Sequence, residues 1–306
     1  MNSINKTGRI TYALILFTIL AVANGCSVEN GLTALQKGDF KKAFNEFRPL
    51  AMLGNSEAQF QLGSMYNEGK GVNQNYAEAV KWYRKAADQG YPNAQYNLGV
   101  KYGQGKGVPQ SYAEAFNWFH KAADQGNPEA EFGVGAMYFE GEGVAKSEVD
   151  AYNWYRKAAE QGNADAETAV GMMYFDGLGV PQSYSEAFNW LRKAAEQGNA
   201  EAQSHLAWMY FHGKGAPQSD VDAFNWYRKA AEQGNPEAEL GVGAMYFEGI
   251  GIPKNDIEAY KWFTLAAAQG NEDARKKMFM LQLLMSKEQI ARAQEEAKIW
   301  TEKHNQ

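Results

Sequence analysis

Residues 58–72 read AQFQLGSMYNEGKGV, and residues 78–90 read EAVKWYRKAADQG. In the first stretch Ala58, Leu62, Met65 and Tyr66 fall at helical spacing and mark one apolar face. Asn55 precedes it as an N-cap, whose side-chain oxygen accepts an orphan backbone N–H worth about 1 kcal/mol. The helix stops at Gly69-Lys70-Gly71, because two glycines one residue apart permit positive φ and a tight turn. A second helix begins near Asn75, where Asn75 and Glu78 read as a capping box. Ala79, Val80, Tyr83, Ala86 and Ala87 line its buried face, Arg84 and Lys85 complement its C-terminal dipole, and Gly90 ends it. The unit is a helix–turn–helix.

The same unit recurs outward along the chain. Trp82, Trp118, Trp154, Trp190, Trp226 and Trp262 keep a step of 36 residues, and so do Tyr66 and the paired turn glycines. A fixed period of this size means a stacked repeat array. Six units run over 56–271, preceded by a shortened unit in 26–55 and followed by capping helices in 272–306. Ser286 caps the last helix, which runs through Trp300 with a polar outer face. At 306 residues the length alone suggests about two globular domains, but a solenoid grows by adding units and needs no second core.

Glycines 63, 99, 135, 171 and 243 sit in the middle of the first helices, with Ala207 in the fifth unit. A mid-helix glycine costs about 1 kcal/mol relative to alanine, so its recurrence predicts close approach of a neighbouring helix. The tryptophans are expected to fill the space between helix pairs as core. Phe139, Phe175, Phe211 and Phe247 are expected to be core against the neighbouring unit.

The formal charge is −6, and loss of Lys6 and Arg9 with the first 25 residues would make it more negative. That balance argues against nucleic acid or anionic lipid as the main ligand. The N-terminus reads as an export signal over 1–25: Lys6 and Arg9, then an apolar stretch from Ile10 to Ala23, short for a membrane span. Two cleavage readings stand. Ala21-Val22-Ala23 offers an ordinary small-residue site, and Ala23-Asn24-Gly25-Cys26 offers lipidation at Cys26, the single cysteine. Either places the protein outside the inner membrane, in the periplasm or at the outer membrane. With one cysteine, no disulfide forms within the array.

The pattern A-x-x-x-L-G-x-M-Y-x-x-G-x-G-V, then E-A-x-x-W-Y-R-K-A-A-x-Q-G-N, stands almost literally at Ala58 to Val72 and Glu78 to Gly90. It resembles the Sel-1-like repeat family over about residues 30–300. The resemblance implies an all-α fold, a right-handed αα superhelical solenoid akin to tetratricopeptide arrays, used as a protein–protein scaffold. Some bacterial secreted relatives carry paired cysteines in each repeat and are linked to β-lactam binding or hydrolysis; this chain lacks those cysteines.

Comparing the units residue by residue separates framework from variable surface. On the first helix three positions at i, i+3 and i+7 vary most and share one face. They include Gln61 and Glu68, Asn97, Glu140, Met172 and Asp176, then His205, Trp208 and His212, and finally Glu248. This stripe is the candidate surface for a protein or extended peptide, with its bulkiest patch at His205, Trp208 and His212. Glu57, Glu129, Asp165, Glu201 and Glu237 form an acidic column one turn earlier. The competing reading is a solvated helix face under weak constraint. No catalytic, cofactor or metal set is found. His205 and His212 stand about 10 Å apart along a helix, too far to share one zinc directly. The recurring acids suit a surface pattern better than one tuned acid–base pair. The expected function is a non-catalytic binding scaffold of the cell envelope. The alternatives are an enzyme acting on cell-wall or β-lactam substrates, or a host-contact adaptor.

Overall fold

The structure is a computed structural model that describes residues 26–304. The expected export signal over 1–25 lies outside the described residues. Among the described residues there are sixteen helices and no strand. The fold is an all-α helical repeat solenoid. The described residues divide into two compact units, the first ending at Trp154 and the second beginning at Tyr155.

The first unit holds α1 (Val28–Gln36), α2 (Phe40–Met52), α3 (Ser56–Glu68), α4 (Tyr76–Asp88), α5 (Pro92–Gln104), α6 (Tyr112–Ala123) and α7 (Pro128–Glu140). The division falls inside α8 (Glu148–Glu160). The second unit continues with α9 (Ala164–Asp176), α10 (Tyr184–Glu196), α11 (Ala200–His212) and α12 (Asp220–Ala231). It ends with α13 (Pro236–Glu248), α14 (Asp256–Ala268), α15 (Glu272–Gln282) and α16 (Lys287–His304). From α1 to α7, and again from α9 to α15, each helix packs on the next; α16 folds back onto α14.

Local chemistry sets these boundaries. Asn55 Oδ1 accepts the Ala58 amide at 2.8 Å, and Asn127, Asn163, Asn199 and Asn235 repeat that cap. At the far end Gly69 takes a left-handed φ of 72°, and the Asn75 amide donates to the Tyr66 carbonyl at 2.8 Å across the turn. Gly90 also has positive φ; its amide donates to the Ala87 carbonyl and that of Tyr91 to the Ala86 carbonyl, closing the helix C-terminus. Ser286 and Gln289 cap the last helix reciprocally, each side chain bonding the other's backbone amide.

The mid-helix glycines are explained by close approach, and the partner is the second helix of the same repeat. A Cβ on Gly63 would stand 2.7 Å from the Tyr83 ring, and one on Gly243 2.6 Å from the Phe263 ring. The fifth repeat tolerates Ala207, and there Tyr227 lies against Gly241 of the next helix.

Two packing expectations need correction. In four repeats the residue after the tryptophan is buried, with Tyr83, Leu191 and Phe263 at most 1 % exposed and Tyr155 6 %, whereas Phe119 and Tyr227 are half-buried. Trp118 and Trp262 are buried, but Trp82, Trp154, Trp190 and Trp226 are only half-buried. The rings of Trp82, Trp154 and Trp226 sit at the margins of core clusters. Lys85, Lys193 and Lys229 lie 3.8, 4.2 and 3.9 Å from the ring centres of Trp82, Trp190 and Trp226. The four recurring phenylalanines are also half-buried, not core. Phe279, Met280, Leu283 and Leu284 are exposed near the end of α15.

Candidate functional site

The bulky patch is built on α9 and α11 of the second unit. Trp208 and His212 are one turn apart on α11 and stack with ring centres 4.0 Å apart, at 27°. His212 Nδ1 donates to the Trp208 carbonyl at 2.9 Å, which fixes the tautomer when the ring is neutral and leaves Nε2 unprotonated. Phe175, from α9, meets the Trp208 ring edge-on at 5.2 Å and the His205 ring at 6.4 Å. Met172 packs with Phe175 and Trp208 on the cluster formed by Phe188, Leu191 and Leu206.

The electrostatics of the patch are set by burial and two acids. His205 is about one-third exposed, with its Nε2 4.0 Å from Glu201. Burial holds its imidazole below the usual histidine range, while Glu201 and Asp176 pull it back up. The patch is therefore an aromatic surface with a neutral histidine at neutral pH, edged by exposed acids. Hydrogen bonding of the open imidazole nitrogen and apolar contact are what it can offer. Among the described residues no group of His, Cys, Asp or Glu is placed to hold a metal ion.

The structure thus brings Met172, Asp176, His205, Trp208 and His212 together. It adds Phe175, which the sequence reading had assigned to core. Glu248, on α13, is exposed and stands apart from these contacts.

The first-unit residues of the stripe have mixed fates. Glu68 is exposed and paired with Lys70 at 2.6 Å, Gln61 is half-buried and Glu140 exposed. Asn97 hydrogen-bonds the hydroxyl of the buried Tyr83, a framework role. The next positions along, Val100 and Gln104, line a hollow of about 340 Å³ with Tyr112, Phe119, Met137 and Glu142. Its floor is open because Gly103 stands where the last four repeats carry phenylalanine, a signal present in the sequence and missed there.

Part of the acidic column is also framework. Asp165 accepts from Asn199 at 2.9 Å and Glu237 from Asn271 at 3.0 Å, tying one first helix to the N-cap of the next. At the N-terminus, Cys26 is half-buried beside Glu46. Burial first, then the Glu46 charge and hydrogen bond, push its thiol up. No helix among the described residues is long and apolar enough to cross a membrane.

Comparison with known proteins agrees with this architecture. The family model described as Sel1 repeat matches six consecutive segments: 56–91, 92–127, 128–163, 164–199, 200–235 and 236–271. A solved protective antigen present in uropathogenic Escherichia coli strains, displaying an SLR fold, is 37% identical with a TM-score of 0.78. The match covers 95% of this chain and 64% of that one, so this chain spans less than two thirds of the antigen. A Sel1 repeat protein from Oxalobacter formigenes is 34% identical with a TM-score of 0.73, over 78% of this chain and 96% of that one. No protein with a curated description matches. Sel1 repeats in general mediate protein–protein interactions, and proteins built from them are typically non-catalytic scaffolds. With matching repeats over most of its length, the chain belongs to the Sel1 repeat family.

Proposed function

We propose that this protein is a binding scaffold of the bacterial cell envelope, and that it holds a protein or an extended peptide along its first-helix stripe. The carrying observation is the partly exposed cluster of Phe175, His205, Trp208 and His212. At the Trp208 position the other repeats carry Ser64, Val100, Ala136, Met172 and Ala244, so the fold does not require an indole there. Tryptophan and tyrosine are enriched among the few residues that dominate protein interfaces, and an aromatic group edged by acids fits that role. The exposed acids beside it, Asp176 and Glu201, would form the rim.

Export through residues 1–25 and lipid attachment at Cys26 belong to the same reading, with the periplasm or outer membrane as the location. The negative charge argues against nucleic acid as the main ligand, and membrane contact would come through the lipid at Cys26. The similar antigen of uropathogenic Escherichia coli supports a host-contact role as the second reading.

The test is capture of the native partner by the full chain and by the Trp208→Ala/His212→Ala variant. Recovery is expected to fall at least about tenfold, the effect of losing one interface hot spot of about 1.4 kcal/mol or more. The variant should keep its circular dichroism and a cooperative melt, since both rings lie outside the buried core. Equal recovery by the two proteins would count against the patch.

A further inference from the structure

One buried polar position recurs on the first helices and was not singled out from the sequence. Residues 59, 95, 131, 167, 203 and 239 read Gln, Gln, Glu, Glu, Gln, Glu, and all are at most 5% exposed. Where the residue is glutamine, both ends of its amide are used. The Nε2 of Gln59, Gln95 and Gln203 donates to the carbonyl of Ala51, Ala87 and Ala195, eight residues earlier, at 3.0, 3.1 and 3.1 Å. The Oε1 of the same residues accepts from Gln89, Gln125 and Gln233, thirty residues later, at 2.7, 2.7 and 2.8 Å. One side chain therefore ties three helices: the preceding second helix, its own, and the second helix of its own repeat.

Glu239 occupies the same place with half of that chemistry visible. Gln269 donates to its Oε2 at 3.0 Å, so the accepting half is kept. The donating half needs a hydrogen, which a carboxylate lacks. Glu239 is 0% exposed, and its Oε1 is buried without a hydrogen-bond partner. The carbonyl eight residues earlier belongs to Ala231, and leaving a buried polar atom unpaired is costly.

We propose that Glu239 is protonated in the folded protein, that its Oε1–H donates to the Ala231 carbonyl, and that the α12–α13–α14 seam is thereby a lock that loosens in alkaline solution.

The surroundings favour the proton. Burial pushes the Glu239 carboxyl up to about 7, with the Gln269 hydrogen bond opposing. Glu167 also moves upward on burial, but Gln197 and the nearby Lys193 hold it back. That lysine belongs to a column at 85, 121, 157, 193 and 229 which ends at Leu265, a residue lining the same hollow as Glu239. The sixth repeat has thus lost the cation that would ease ionisation.

Few other titratable groups face it. Glu232, after α12, is paired with Arg228 at 3.0 Å. His304, at the end of α16, stacks on Trp300 and donates from Nδ1 to its carbonyl. Lys261 on α14 pairs with Glu258 at 2.6 Å. None is hydrogen-bonded to Glu239. A glutamate in the unfolded chain has a pKa of about 4.3, so the folded state binds the extra proton, and stability falls as pH rises from there through about 7, then levels off.

The experiment compares the full chain with Glu239→Gln, which carries a permanent donor. Thermal melts are run at about pH 5.5 and about pH 8.5, with His304→Gln in both backgrounds to remove the histidine that lines the same hollow as Glu239. The gain in melting temperature from Glu239→Gln should be small in acid and several degrees larger in alkali. A gain that is absent, or equal at the two pH values, overturns the proposal. Difference infrared spectra near pH 6 should show a protonated-carboxyl C=O band that Glu239→Gln lacks; an unchanged band region overturns it as well.

Discussion

Phe263→Ala is expected to destabilise the C-terminal repeats by about 3–5 kcal/mol, the range for removing a buried aromatic. Trp190→Ala, in the more conspicuous tryptophan column, should cost only about 1–2 kcal/mol. Phe263 is fully buried with Tyr260, Ala266, Ala274 and Leu281, and its ring fills the space that Gly243 leaves open. Its removal opens a cavity whose walls are backbone and packed side chains, which collapse poorly. Trp190 is half-buried and has the Lys193 ammonium 4.2 Å from its ring centre, so water and a flexible side chain can take its place. Urea unfolding of the two variants measures both losses; a Trp190→Ala loss equal to that of Phe263→Ala would return the tryptophan to the core.

Gly251→Ala should destabilise by about 2–4 kcal/mol, against about 1 kcal/mol for Gly234→Ala. Both glycines have positive φ, 72° and 79°, so both variants strain the backbone similarly. At Gly234 a new Cβ meets nothing within 4 Å. At Gly251 it would stand 2.6 Å from the Asp220 carbonyl oxygen, at the start of the preceding repeat's second helix. That atom belongs to a helical backbone and has no rotamer through which to yield. Gly71 makes the same approach to Phe40, so the second turn glycine is a packing residue as well as a turn residue. Paired thermal melts decide this; equal losses would show that turn conformation alone matters.

These contrasts show what the 36-residue step could and could not reveal. It gave the helix pairs, their asparagine caps and their glycine stops, because capping and turn chemistry are local. It could not say which of two adjacent large residues points inward. Neighbours on a helix differ by about 100°, and Trp190 and Leu191 are both apolar. The lysine one turn on does not discriminate either, since Lys193 lies 4.2 Å from the half-buried Trp190 and Lys121 4.0 Å from the buried Trp118. The buried Gln/Glu position was hidden because a polar residue near a helix start reads as surface. Its partners lie eight and thirty residues away, joined only by the stacking of repeats.

The candidate patch was legible where repeats break their pattern. His205, Trp208 and His212 depart from small or polar residues and do form one cluster. Phe175 was hidden by its own recurrence, since a residue present in four repeats reads as framework. Asn97 departs from its column yet serves Tyr83, so variability alone does not separate a ligand contact from a local packing solution.

The most direct test of the binding role is site-specific photo-cross-linking in the native cell. A benzophenone amino acid replaces His212 in one strain and Arg192, exposed on α10, in another. The proposal predicts one discrete cross-linked protein at position 212, lost when Trp208→Ala is added, and none at position 192. Equal cross-linking at both positions, or none at position 212 in cells that make the folded protein, would contradict it.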